Sequence, residues 1–182
     1  MHTPSIDRRT VRTRRAIHNA FATLAKRRDY EAIRVDDICA EAGVARSTFY
    51  GHFAGKDDLL RRIFDDVRRS VANPPGTGVD RSSAWVERAF THAATRRSHL
   101  CLVASGRRRE VALGELQLIF GAELRRELAA TCPVTELSPR VAMGVAALLG
   151  LFEWWLADGA RRSPAEMASL FRGAVETGSS DD

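Results

Sequence analysis

Arg46, Ser47, Thr48, Tyr50 and His52 place five charged or hydrogen-bonding side chains within one turn or two of chain. Each type has a partner in nucleic-acid chemistry. An arginine fork reads the O6/N7 edge of guanine, hydroxyls reach base edges or phosphates, and a phenol or imidazole donates to phosphate oxygens. Ala45 and Gly51 complete the run without adding an aliphatic side chain that would hold it away from a groove. Enzymatic motifs are missing: there is no Gly-x-Ser-x-Gly, no phosphate-binding glycine loop and no His-Glu-x-x-His. An enzyme would have to assemble its site from scattered residues. His99-Leu100-Cys101 is too sparse for a metal site, and Cys39, Cys101 and Cys132 lack disulfide or zinc spacing. No metal and no cofactor is expected.

Such a face needs a support that aims it. The spacing predicts a short helix over Val35–Ala42, a stop at Gly43, and a second short helix from Ala45 to His52. Ile38, Val44, Phe49 and Phe53 point inward and lock the second helix across the first, the helix-turn-helix pattern. Ahead of it, residues 1–9 read as a polar arm. Thr10 is placed to cap a helix that buries Ile17, Ala20, Phe21 and Leu24 and ends near Arg28–Asp29. Behind it, Lys56–Asp57 opens a longer helix burying Leu59, Leu60, Ile63, Phe64 and Val67.

No strand-like alternation persists, so the chain reads as all-α. Asn73–Gly78 is the clearest linker. Helical segments follow at Ser83–Arg97, Ser98–Ser105 and Glu110–Ala130, the last ended by Pro133. Arg140–Ala157 is apolar almost all round and must be buried on more than one side. Ser163-Pro164-Ala165-Glu166 is a capping box that opens a final helix.

Composition agrees with a polyanion partner at one end. Of the 182 residues, 28 are Lys or Arg and 23 Asp or Glu, and the whole excess lies before residue 71. The longest uninterrupted apolar run, Val141 to Phe152, is shorter than the ~20 residues a bilayer span requires. A cytoplasmic protein with no membrane partner is expected.

The string Ile38…Ala42-Gly43-Val44…Ser47-Thr48-Phe49-Tyr50…His52-Phe53…Lys56…Leu59 resembles the TetR family of transcriptional regulators. Leu148–Leu156, with Gly159 and the helix after Ser163, is similar to the family's closing helix pair. The resemblance implies a helix-turn-helix DNA-binding domain over residues 10–56 and a helical regulatory and dimerisation domain over 57–182. By the same resemblance, Arg46, Ser47 and Thr48 approach bases and nearby phosphates. Tyr50, His52 and Lys56 meet the phosphate backbone, with Tyr50 also within reach of a base, and Arg34 stands where the family often carries Thr. The implied protein is a homodimer on a palindromic operator of double-stranded DNA, a repressor released by a small-molecule effector. Control by a protein partner is the alternative.

Three further features bear on that reading. Arg8, Arg9, Arg12, Arg14 and Arg15 either grip a minor groove or form a solvated charge run. Trp85, Phe90, His99 and Phe120 are the candidates to line a ligand cavity, and Arg107–Arg109 reads as an exposed loop. Ala146, Leu149, Leu151, Phe152, Trp155, Met167, Leu170 and Phe171 are the candidates for a four-helix dimer interface.

Overall fold

The computed structural model describes residues 8–72, 84–96 and 109–176. All regular structure among them is helical: α1 (Arg8–Ala25), α2 (Val35–Ala42), α3 (Arg46–Tyr50), α4 (Lys56–Ala72), α5 (Ala84–Thr95), α6 (Arg109–Leu128), α7 (Val134–Ala157) and α8 (Pro164–Glu176), with a 3-10 turn at Tyr30–Ala32. The expected linker at Asn73–Gly78 and the short helix at Ser98–Ser105 lie outside the described residues. The described chain divides into two compact units, residues 8–65 with 109–112, and residues 66–96 with 113–176.

The first unit begins with a correction. α1 starts at Arg8, so Thr10 lies inside its first turn rather than capping it, and Arg8 and Arg9 are helical rather than part of an arm. The expected apolar face is buried, with Ile17 and Phe21 fully enclosed. The helix ends at Ala25, and the amides of Arg27 and Arg28 close the turn on the Leu24 carbonyl.

α2 packs on α1, and α3 packs on α2. Gly43 has φ 64°, the left-handed conformation that costs an L side chain strain, and its N–H reaches the Ala40 carbonyl at 3.2 Å. Ile38, Phe49 and Phe53 are enclosed as expected, while Val44 is only half-buried. α3 is shorter than its sequence suggests, because Gly51 and His52 form a turn closed on the Ser47 and Phe49 carbonyls.

In the second unit α5 and α7 both pack against α8. Phe90, Phe120, Phe152, Trp155, Trp85 and Phe171 form one aromatic cluster, with Phe90 stacked on Phe152 at 3.9 Å between ring centres. α8 opens with the expected capping box. The Ser163 N–H donates to Glu166 Oε2 at 2.7 Å, and the Glu166 N–H donates back to Ser163 Oγ at 3.3 Å.

α7 differs from expectation at its start. It begins at Val134, six residues early, and carries Pro139 inside. Pro139 is near enough to the N-terminus that its missing N–H removes one hydrogen bond without ending the helix. At 24 residues, with a mean hydropathy of 1.4 over its most apolar 18-residue stretch, α7 is the one helix among the described residues long and apolar enough to cross a bilayer. The core helix of a globular unit passes the same test of length and composition, and Glu136, Arg140 and Glu153 interrupt the apolar run of α7. One side of α7, formed by Val141, Val145, Leu148, Phe152 and Trp155, is buried in the unit's core.

Gly144 shows how closely α7 approaches α6. A Cβ there would overlap Cδ2 of Leu124, which is itself buried. Gly144→Ala should therefore destabilise the fold by about 1–3 kcal/mol through overpacking. A fall in the denaturant midpoint at unchanged slope is the expected observation; an unchanged midpoint would show that α6 and α7 part at no cost.

Candidate nucleic-acid interface

α3 carries the outward face. Its inner side is held by Phe49, fully enclosed and 5.6 Å from Phe53 between ring centres, which in turn lies 5.6 Å from His18. With the inner side fixed, Ala45, Arg46, Ser47, Tyr50 and Gly51 are exposed, and Thr48 and His52 are half-exposed. Seven of the nine positions expected to meet DNA thus share one short surface.

Arg46 does not hang free on that surface. Its Nη1 donates to Asp36 Oδ1 at 2.6 Å and Oδ2 at 2.9 Å, joining α3 to α2. Its Nη2 lies 3.5 Å from the Tyr50 hydroxyl, and its guanidinium carbon lies 5.7 Å from the Tyr50 ring centre. The sequence reading missed Asp36. Opposite charges at these positions are a signal, but only the angle between two short helices brings them together.

Arg34 is exposed at the N-terminus of α2, where its backbone N–H donates to Asp37 Oδ2 at 2.9 Å. The family's Thr would add an acceptor for the helix amides, whereas a guanidinium has none. That N–H, together with Arg28 at 3.3 Å, holds the Asp37 carboxyl below its ordinary value.

Lys56 departs most from its expected role. Its ammonium donates to the carbonyls of Tyr30 at 2.8 Å, Ile33 at 3.2 Å and Glu31 at 3.4 Å, and it lies 4.3 Å from the Tyr30 ring centre. All three donors are thus turned into the protein, and a phosphate could be met only by giving these partners up. The next two residues act alike. Asp57 accepts from the Tyr30 hydroxyl, and Asp58, buried, accepts from the Ala54 N–H at 3.0 Å and from Arg61 and Arg62. The Ala54 N–H and the two guanidiniums hold the Asp58 carboxyl below its ordinary value. Stability drawn from Asp37 and Asp58 is complete above the ordinary carboxylate pKa and fades as pH falls through their lowered values.

Lys56, Asp57 and Asp58 therefore fasten the first turn of α4 to the reading domain. Lys56→Ala should cost about 1–3 kcal/mol of stability by leaving carbonyls without their cation. It should leave the salt dependence of DNA binding unchanged. A salt slope flatter by about one, with stability intact, would restore the phosphate role.

In the second unit, the far end of α4 is held by α5. Arg88 donates to the Val71 carbonyl at 2.7 Å, and Ser70 Oγ lies 2.8 Å from His92 Nδ1. Burial, reinforced by Arg96, pushes the His92 pKa down.

The regulatory candidates are placed unevenly. Trp85, Phe90 and Phe120 are buried, Trp85 against Phe120 and Phe90 against Phe152 and Trp155, and Trp85 Nε1 donates to Glu127 at 2.6 Å. They build core rather than offer free faces to a ligand. His99, Cys101, Arg107 and Arg108 lie outside the described residues. Of the interface candidates, Phe152, Trp155, Met167 and Phe171 are buried in the chain's own core and present no free face. Ala146 and Leu170 are exposed, and Leu149 and Leu151 half-exposed. The sequence reading missed Met143, which is 72% exposed; Trp154, part of the excess apolar area expected of this helix, is 46% exposed. With Ala146, Ala147 and Gly150 they form an open stripe half a turn round α7 from its buried side.

Residues 17–63 match the model for bacterial regulatory proteins of the TetR family. Over 68 residues the chain is 44% identical to an uncharacterized HTH-type transcriptional regulator, YxbF, of Bacillus subtilis, a match covering 37% of this chain and 17% of that protein. It is 34% identical over 66 residues to the HTH-type dhaKLM operon transcriptional activator DhaS of Lactococcus lactis, covering 36% of this chain and 35% of that one. The chain thus aligns with well under half the length of either relative. In fold it is similar to a TetR transcriptional regulator from Streptococcus agalactiae, with TM-score 0.64 and 21% identity over 93% of this chain and 96% of that one. Residues 17–63 thus carry the sequence of a TetR-family DNA-binding domain, and over nearly its whole length the chain shares the fold of a TetR regulator.

Proposed function

We propose that the protein is a cytoplasmic DNA-binding regulator that acts as a homodimer on a palindromic operator. The observation that carries this reading is the α3 surface: a polar, partly cationic face without bulky aliphatics, aimed outward by the enclosed Phe49 and Phe53. A major groove accepts a helix with such a face, and a two-fold axis repeats it one helical turn along the duplex. Arg46, Ser47 and Thr48 are assigned to base edges and adjacent phosphates, and Tyr50, His52 and Arg34 to the backbone. Seated on a promoter, the dimer represses. The Lactococcus lactis relative is named an activator, so a reporter fused to the operator's promoter decides the sign for this protein.

Release follows from a small-molecule effector held in the second unit, which favours a different tilt of α4 in proportion to its preference between the two states. The enclosure of Trp85, Phe90 and Phe120 in one aromatic core with Phe152 favours a second reading, control by a protein partner. A thermal-shift screen separates them, since only a small ligand bound to the native state raises the melting temperature in such a screen.

Selection of duplexes from a random pool by the full chain tests the main reading. A palindromic consensus, retained against excess unrelated DNA at moderate salt, is the expected result. Binding without sequence preference would overturn it.

A further inference from the structure

We propose that Asp36 is a positioning residue for base recognition, presenting Arg46 with one guanidinium nitrogen anchored and the opposite edge open. The inference rests on the reading that α3 enters a major groove. Both oxygens of Asp36 engage Nη1, at 2.6 Å and 2.9 Å. That leaves Nη2 and Nε, whose two N–H groups point the same way and match the O6/N7 edge of guanine. Nη2 has a 3.5 Å contact with the Tyr50 hydroxyl, long enough to be exchanged for a base. The Tyr50 ring, one turn further along α3, lies beside the guanidinium and limits its swing.

Asp36 is not merely a favourable acid at a helix start. Its neighbour Asp37 accepts the Arg34 N–H and pairs with Arg28, whereas the Asp36 carboxylate is directed across to α3. Side chains of both Asp36 and Arg46 are 60% exposed, so the pair stands on the reading surface itself. Two consequences follow. The guanidinium reaches the groove already oriented, so less side-chain freedom is lost on binding the correct base. The carboxylate also cancels the arginine's charge toward phosphates, which lowers attraction to arbitrary DNA. Asp36 thereby raises discrimination from both sides.

The test uses the full-length protein and the duplex obtained by selection, with all four base pairs placed at each half-site position, plus random-sequence DNA. In Asp36→Ala the preference for the base pair read by Arg46 should fall about tenfold. Affinity for random DNA should rise several-fold. In an Arg46→Ala background, Asp36→Ala should change no base preference. Asp36→Asn keeps the side chain's shape and an acceptor at the helix start, and should shift both quantities the same way. Unchanged base preference in both Asp36 variants, or a gain in operator affinity at unchanged discrimination, would overturn the proposal. Failure of the wild-type protein to select any sequence would instead overturn the groove reading beneath it.

Discussion

Gly150→Glu is expected to give a folded monomer of 20.1 kDa that no longer holds its operator. Within one chain the change is harmless: a Cβ at Gly150 meets nothing within 4 Å, and the residue has ordinary helical geometry. Its surroundings are Met143, Ala146, Ala147 and Trp154, an apolar stripe whose small central residues would let a second helix come close. Leu170 on α8, 43% exposed, is a further large apolar side chain left open on this closing pair. A carboxylate at the centre of such an interface would be buried without a partner, which costs several kcal/mol.

The loss on DNA should be larger than any single contact explains. Two half-sites gripped together benefit from effective concentration, and a monomer forfeits roughly 10²–10⁴ in apparent affinity. Sedimentation and mobility shift, run on the same preparations, check both halves of the expectation. Wild-type protein that stays monomeric at micromolar concentration, or a Gly150→Glu dimer, would defeat the interface. A charge at Met167 or Phe171 would report only on folding, because both are enclosed in the chain's own core.

Arg46→Ala is expected to weaken operator binding by roughly tenfold to a hundredfold and to relax preference at one base pair in each half-site. Affinity for random DNA should fall only several-fold, because the change leaves the Asp36 carboxylate unpaired on the reading surface. This pattern differs from loss of a phosphate contact, which weakens all sequences alike and flattens the salt slope. Competition titrations at two salt concentrations read both signatures. Intact base preference in Arg46→Ala would move the reading role to Ser47, Thr48 or Tyr50.

Much of the reading domain is legible in the chain because its information is local. Gly43 stops α2 since the turn needs a left-handed residue, and the spacing of Ile38, Phe49 and Phe53 fixes which side of each short helix faces inward. Once those are set, the polar residues between them can only face out. The capping box at Ser163–Glu166 is equally local, four residues satisfying one another's donors. Charge asymmetry needs no structure at all.

What the tertiary structure decided was the partner of each versatile side chain. A lysine beside a polar face reads from sequence as a phosphate ligand; the fold turns Lys56 onto three carbonyls some two dozen residues earlier in the chain. An arginine reads as free; the crossing of α2 and α3 gives Arg46 to Asp36. Two glycines in α7 are indistinguishable by type, yet Gly144 admits Leu124 of α6 while Gly150 faces open space. Apolarity all round α7 signalled burial on more than one side without saying which residues serve the chain and which a second copy. The physical reason is common to all of these. Helix periodicity fixes a residue's direction relative to its own axis, whereas long-range packing alone fixes what stands in that direction.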